Sequence, residues 1–203
     1  MAVTTYQQIQ DTIARYLWDR NDLSGLIPDW IVMCEARIKN LLRVSNMETS
    51  GAITLTSGAG SLPSDYLAFR RVLTADNPTR DLQLADPAWA KNEYPNASAG
   101  LADYFTIEGS TLRTYPPSTN NVTLYYYQKI PALASNTTGN WLTSRSPGTY
   151  IYGSLLEAAP FLDDDPRLGT WGTMFNDALD GLRKADLMGR YGRVNMRIRG
   201  ETP

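Results

Sequence analysis

The segment at residues 22–43 constrains the fold more than any other part of the chain, because it joins a helix start to a long apolar stripe. Pro28 suits the first helical turn, where its missing N–H costs nothing, and Asp29 places negative charge at the positive end of the helix dipole. Apolar residues then recur at three- and four-residue steps, which predicts one buried face made of Ile27, Trp30, Ile31, Cys34, Ile38, Leu41 and Leu42. The segment therefore predicts an amphipathic helix within a small helical bundle.

Helical spacing also appears near both ends of the chain. Residues 4–18 predict a first helix with Thr4 or Thr5 as its N-cap, and this helix forms a hairpin with the one that follows Ile27. Residues 149–161 and 167–188 predict two more helices, because their apolar side chains again recur at three- and four-residue steps. We expect these helices to pack together as an antiparallel bundle.

The middle of the chain changes to the pattern of short strands. Alternating or β-rich segments occur at residues 52–56, 69–73, 82–84, 104–107, 111–115 and 122–128. A short helix is expected at 86–91, and residues 135–148 are interpreted as a polar loop. We therefore predict an α+β chain with three parts. They are an antiparallel helical bundle (1–48 and 147–189), an inserted small antiparallel β-module (49–146) and an extended C-terminal arm (190–203).

The composition removes several classes of chemistry. The chain of 203 residues has no histidine, which excludes Ser-His-Asp triads, Cys-His dyads and His-ligated metals. Its single cysteine, Cys34, excludes an internal disulfide, and its place on the apolar stripe favours burial. A net charge of −2 provides no global basic field for nucleic acid. We expect no catalytic residue, metal, cofactor, membrane span or secretory signal.

Two local clusters have simpler interpretations than ligand binding. Asp163, Asp164 and Asp165 lack the spacing of a calcium loop, so one of them is expected to cap the last helix. Residues 57–61 are rich in glycine but lack the Gly-Lys-Ser/Thr of a phosphate-binding loop, so they are expected to form a hairpin turn.

The last residues of the chain have a different pattern from the helices. Residues 190–199 carry four arginines and no acid, and they alternate rather than follow helical spacing. Alternation suits strand addition to another chain, and arginine suits carboxylates across an interface. A solvated tail and contact with DNA phosphates are the alternatives. The candidate partner-binding residues of this arm are Arg190, Tyr191, Arg193, Val194, Met196, Arg197, Ile198 and Arg199.

Six segments, taken in order, resemble a family of tailed-phage head–tail adaptor (connector) proteins. The helix after residue 27 is similar to the family pattern "I-P-x-x-I-x-x-x-E-A-R-I-x-R-x-L-R", although Asn40 stands where a basic residue is expected. The same segment includes the loop at 20–23 before this helix, which is similar to the family's "R-x-D-L". Further matching segments lie at residues 62–67, 104–109, 125–133, 140–142 and 150–162.

The resemblance implies a structural role without catalysis. It implies a homo-oligomeric ring, typically of twelve copies, that docks beneath the phage portal protein and offers a platform to the next tail component, a tube or nozzle. Genomic DNA is then expected to pass through the lumen without sequence recognition. The protein is expected to be made in the host cytoplasm and to reside at the head–tail interface of the virion, with no membrane partner. Glu35 and Arg37 in the matched helix become candidates for an inter-subunit contact, with an ion pair inside the chain as the alternative.

Two other functions stay open on the sequence. A stopper or tail-completion protein, one layer further down the tail, also forms a ring, so the sequence barely separates it from an adaptor. A small histidine-free phage enzyme that uses paired Asp and Glu residues is the alternative from another class. No catalytic signature in the chain favours it.

Overall fold

The chain forms two compact units in a computed structural model that describes residues 3–20, 22–95, 98–162 and 165–191. Unit 1 comprises residues 1–46 and 130–203, and unit 2 comprises residues 47–129. The described residues contain six α-helices and a seven-stranded mixed sheet, so the predicted α+β class is confirmed. The boundary between the sheet region and the second part of unit 1 lies at 129, earlier than the 146 predicted from the sequence.

Unit 1 is built around one central helix. The helices of the described residues are α1 (Tyr6–Tyr16), α2 (Ile27–Leu41), α3 (Pro87–Glu93), α4 (Trp141–Arg145), α5 (Pro147–Glu157) and α6 (Arg167–Tyr191), of which α3 alone belongs to unit 2. Helix α5 packs against α1, α2, α4 and α6. The predicted apolar stripes supply the buried side chains, among them Ile9, Ile13, Trp30, Ile38, Leu155, Trp171, Phe175 and Leu179.

Local capping explains where two of these helices begin. Thr5 and Gln8 form a reciprocal capping box at α1, in which each side chain accepts a hydrogen bond from the other residue's backbone N–H. Asn140 does the same with Thr143 at α4, a helix that lies within the predicted polar loop. The Thr143 hydroxyl also donates to the Thr4 carbonyl oxygen at 2.9 Å, which anchors this segment in unit 1.

A glycine lets three helices of unit 1 meet. Gly153 of α5 lies against the sulfur of Cys34 in α2 and the ring of Phe175 in α6. A Cβ atom at position 153 would be 2.9 Å from the Phe175 ring and still closer to the Cys34 sulfur. The absence of a side chain at this position therefore sets how closely α5 packs between α2 and α6.

Unit 2 holds a mixed sheet rather than the antiparallel module predicted from the sequence. Its strand order is β1-β7-β3-β4-β5-β6-β2, and the β4–β5 pair is parallel. Helix α3 connects β4 to β5, which explains the difference because parallel neighbours need a crossover connection. The strands are β1 (Glu48–Ile53), β2 (Ala59–Ser61), β3 (Tyr66–Thr74), β4 (Asp81–Leu84), β5 (Tyr104–Glu108), β6 (Thr111–Tyr115) and β7 (Val122–Gln128).

The sheet curls because its two outer strands are joined by a short connection. Strands β1 and β2 occupy opposite ends of the strand order, yet only residues 54–58 separate them along the chain. Gly60 of β2 lies so close to Ile53 and the Thr54 carbonyl that a Cβ atom would not fit. Of the hairpin turn predicted at 57–61, Ser57 and Gly58 form a tight turn with positive φ angles between the paired residues Thr56 and Ala59, and residues 59–61 form strand β2. The curled sheet encloses a core that includes Val72, Phe105, Leu112, Val122 and Leu124.

Candidate interaction surfaces

The two predicted inter-subunit residues, Glu35 and Arg37, both have partners inside unit 1. Glu35 is not among the residues predicted to form the buried face of α2, but its side chain is only 6% exposed. Its Oε1 accepts a 2.9 Å hydrogen bond from the Leu133 backbone N–H, and its Oε2 lies 3.9 Å from the Lys39 ammonium. Burial raises the pKa of the Glu35 carboxyl above its ordinary value. The buried carboxylate therefore anchors a loop of its own chain.

Arg37 lies on the opposite side of this helix and remains partly exposed. Its guanidinium forms a 2.7 Å ion pair with Glu157 at the end of α5. This contact is the interhelical ion pair that the sequence left open as an alternative. An inter-subunit contact of Arg37 stays a prediction.

The first two residues of the predicted C-terminal arm belong to the last helix. Helix α6 continues through Arg190 and Tyr191, so these two residues are helical rather than extended. Arg190 forms a 2.9 Å ion pair with Asp186 one turn earlier, while the Tyr191 side chain is exposed. The other predicted arm residues, Arg193, Val194, Met196, Arg197, Ile198 and Arg199, lie outside the described residues.

An exposed indole at the end of α1 was not predicted from the sequence. Trp18 is 79% exposed, and both Trp18 and Asp19 adopt positive φ angles of 56° and 51°. The Arg167 guanidinium stacks 4.5 Å from the Trp18 ring and 4.9 Å from the buried Trp171 ring. Residues other than glycine rarely adopt positive φ angles, so contacts with the surrounding residues must hold Trp18 and Asp19 in this backbone conformation. No periodicity in residues 4–18 distinguishes Trp18 from its neighbours.

Asp165 holds Arg167 in that position. Its carboxylate accepts a 2.9 Å hydrogen bond from the Arg167 backbone N–H and a 2.5 Å hydrogen bond from the guanidinium. These hydrogen bonds, chiefly the one from the guanidinium, lower the pKa of the Asp165 carboxyl. The prediction that one aspartate of this run caps the last helix is consistent with this contact, and Asp163 and Asp164 lie outside the described residues.

Unit 2 contains a groove of about 760 Å³ over its sheet. Phe69 and Phe105 line it with ring centroids 5.4 Å apart, and the exposed Tyr125 lies at its side. Arg71 and Asp81 also line it and form a two-pronged ion pair with distances of 2.5 and 2.7 Å. The groove combines aromatic side chains with charges that already have partners, which suits an extended peptide better than a small charged ligand. Its residues come from five different strands, so no single sequence motif could have indicated it.

Two helix faces of unit 1 also expose apolar side chains. On one face of α2 these are Val32 and Met33; Leu41, which was predicted to be buried, is also exposed but lies on the other side of the helix. On the last two turns of α6 they are Leu187, Met188 and Tyr191. Large apolar side chains that cluster on one exposed face mark protein–protein contact sites more often than isolated ones do.

The described residues offer little for metal or thiol chemistry. They contain no group of three or more His, Cys, Asp or Glu side chains that could hold a metal ion. Cys34 is fully buried, and burial raises the pKa of its thiol to about 12. None of the helices in the described ranges combines the length and apolarity needed to cross a bilayer.

Comparison with known protein families identifies a relationship that spans most of the chain. The family model described as SU10 adaptor protein matches residues 4–197 of the chain. No curated protein matches it. The matched range includes all of unit 2, most of unit 1 and every surface described above.

Proposed function

Since this chain belongs to the SU10 adaptor protein family, a family of phage head–tail adaptors, we propose that it forms a ring beneath the portal that joins capsid to tail. The family match over residues 4–197 carries this proposal, because it spans nearly the whole chain rather than one motif. The proposed ring contains twelve copies and extends the DNA channel. The protein acts as a structural component of the virion and catalyses no reaction.

The proposed mechanism is geometric. Unit 1 packs beside the same unit of the next copy and onto the portal, while unit 2 faces the next tail component or the outside of the ring. The exposed apolar faces of α2 and α6 support a contact role for unit 1, and the aromatic groove supports a peptide-binding role for unit 2. The helices of unit 1 then act as the bundle into which unit 2 is inserted.

DNA passes through the proposed lumen without being read. The net charge of −2 supports this role, because a strongly basic ring would bind phosphates and retard the passage of DNA. The proposed contact with DNA is therefore weak and independent of sequence.

Portal binding is the experiment that tests the proposal. The purified protein is mixed with the portal encoded by the same genome. The mass of the complex is measured by analytical ultracentrifugation, and the complex is imaged by electron microscopy. A second ring stacked on the portal is the expected result, and its mass gives the copy number. Two folded proteins that do not associate would contradict the adaptor proposal and favour a stopper or tail-completion ring one layer further down.

A further inference from the structure

Two outward faces of unit 1 carry the same spacing of side chains with opposite charges. On α2, Asp29 is followed by apolar residues three, four and seven positions later, namely Val32, Met33 and Ala36. On α6, Lys184 is followed at the same three steps by Leu187, Met188 and Tyr191. Residues at these steps share one face of a helix. All eight side chains are exposed.

The charges that begin each face are available to a partner. Within the described ranges, neither Asp29 nor Lys184 forms an ion pair, in contrast to Arg37, Arg183 and Arg190 on the same helices. Met33 is 54% exposed and Met188 is 73% exposed. Each face therefore presents an unpaired charge beside two turns of uncovered apolar surface.

Helices α2 and α6 run in the same direction within the chain. Gly153 contacts Cys34 of α2 and Phe175 of α6, and further along both helices Arg183 donates a 2.8 Å hydrogen bond to the Leu41 carbonyl. Residue numbers thus increase together along the two helices. In a closed ring of twelve copies, neighbours are related by a rotation of about 30°, so α6 of the next copy keeps nearly this direction. The two helices can therefore meet across copies in a parallel orientation.

We propose that α6 of one copy packs against α2 of its neighbour with Lys184 beside Asp29. This inference rests on the proposed ring and assigns the contact that closes it. The register places Leu187 against Val32 and Met188 against Met33. Because the two faces differ, the contact is head-to-tail, which builds a ring rather than a symmetric dimer.

The same register fits by size as well as by charge. It sets the bulky Tyr191 against the small Ala36, and large residues opposite small ones allow two helices to interdigitate. Both faces continue for only two turns, so each single contact is weak. Closure of the ring on the portal then supplies the additional contacts that hold it together.

The register also fixes how the helices lie in the ring. Inside one chain Arg183 lies beside Leu41, whereas across copies Lys184 lies beside Asp29. The neighbouring copy is therefore displaced along the helix axis by a shift of roughly 20 Å at 1.5 Å per residue. Such a shift requires α2 and α6 to be inclined to the ring axis rather than parallel to it.

Cross-linking of the ring assembled on its portal tests the contact. The variant Met33→Cys/Met188→Cys is treated with a short bis-maleimide, and the products are separated by mass. We expect a ladder of covalent oligomers that ends at the mass of the whole ring. Wild-type protein is expected to stay uncross-linked, because its only thiol, Cys34, is buried.

A matched pair controls for accidental proximity. Met33→Cys/Met174→Cys also introduces two cysteines in place of exposed methionines, but Met174 lies 14 residues before Met188 on α6, roughly 21 Å away at 1.5 Å per residue. This pair is expected to give monomer only. Rings that are visible by electron microscopy but remain uncross-linked in the 33/188 variant would overturn the inference and leave the adaptor function intact. Failure of wild-type protein to form any ring would overturn both.

Charge reversal tests the register independently. Asp29→Lys and Lys184→Asp are each expected to weaken the affinity between neighbouring copies about fivefold at low salt, because each places like charges together. Ring assembly at a fixed protein concentration falls accordingly. The double variant carries both reversals in every copy, so it should restore assembly. Thermal unfolding of all three variants controls for loss of fold. A double variant that assembles no better than the single variants would contradict the pairing of these two residues.

Discussion

The carboxylate of Glu35 in α2 accepts a 2.9 Å hydrogen bond from the backbone N–H of Leu133, which lies 98 residues later in the chain. The contact is buried, and it holds the segment after the β-sheet against the helices of unit 1. The Leu133 N–H is buried and needs a hydrogen-bond acceptor, which explains why a charged residue occurs in the middle of an apolar helix face.

Removal of this acceptor should destabilise the protein. Glu35→Ala leaves the Leu133 N–H buried without a partner, and we expect a loss of about 1–3 kcal/mol in the free energy of unfolding. Glu35→Gln keeps an acceptor oxygen of similar reach, so its loss should be clearly smaller. Urea unfolding at neutral pH measures both. Equal losses in the two variants would mean that the hydrogen bond is not the cause.

The same carboxyl should make stability depend on pH. Burial raises its pKa in the folded protein, so the folded state binds a proton at Glu35 more tightly than the unfolded state does. Its contribution to stability is therefore fully present below the unfolded pKa and is lost as the pH rises through the folded pKa. Glu35→Gln cannot titrate, so relative to wild type it should become more stable from pH 4 to pH 7. A wild-type-minus-variant difference that is flat over this range would contradict the assignment.

Close packing at Gly153 should not tolerate a methyl group. Gly153→Ala would place a Cβ atom too close to the Cys34 sulfur and the Phe175 ring. We therefore expect the free energy of unfolding to fall by about 1–3 kcal/mol. Gly181→Ala is the matched control, because position 181 of α6 has no atom within 4 Å of the added carbon. The free energy of unfolding of the Gly181→Ala variant should rise by about 0.5–1 kcal/mol, because alanine has a higher helix propensity than glycine. Thermal and urea unfolding of the two variants measure the contrast.

The two tryptophans that stack on Arg167 should differ sharply in importance for stability. Trp171 is buried, so Trp171→Ala is expected to cost about 3–5 kcal/mol. Trp18 is mostly exposed, so Trp18→Ala should cost no more than the stacking contact itself, about 1 kcal/mol. Urea unfolding, monitored by circular dichroism, compares the stabilities of the two variants without relying on tryptophan fluorescence. A large loss in the Trp18 variant would show that this exposed indole supports the fold more than its single stacking contact implies.

The C-terminal arm is predicted to add to another chain, and we propose that this chain is the portal or a neighbouring copy, so removal of the arm should abolish docking onto the portal without unfolding unit 1. The deletion should begin at residue 192, because Arg190 pairs with Asp186 and Tyr191 completes α6. Co-sedimentation with the portal measures docking, and circular dichroism checks the fold. A glycine–serine tail of the same length in place of residues 192–203 controls for bulk. Docking of the truncated protein at the wild-type level would contradict a role for the arm.

Several elements were predictable because their causes are local. The start of α2 follows from Pro28 and Asp29, and the capping of α1 follows from Thr5. Strands β6 and β7 were also located from their alternation. In each case the determining residues lie within a few positions of the element, where a periodic pattern is visible along the chain.

Other features were missed because their causes lie far apart in the sequence. Helix α4 was interpreted as a loop, although its capping pair, Asn140 and Thr143, is readable in hindsight. The burial of Glu35 could not be predicted, because its hydrogen-bond donor is the backbone N–H of Leu133. Nearly every residue has such a group, so the sequence does not indicate which one pairs with Glu35. The groove in unit 2 and the exposure of Trp18 likewise depend on residues from several elements.

The sequence by itself determined the α+β class, most helix and strand positions and the family of the chain, since periodicity and ordered motifs are properties of neighbouring residues. Only the tertiary structure decided that β4 and β5 run parallel, that the sheet curls, and which faces of α2 and α6 remain uncovered. These depend on which distant segments compete for the same surface. An amphipathic pattern states that a face is apolar, but the packing of the other helices decides whether the chain covers that face or leaves it for a partner.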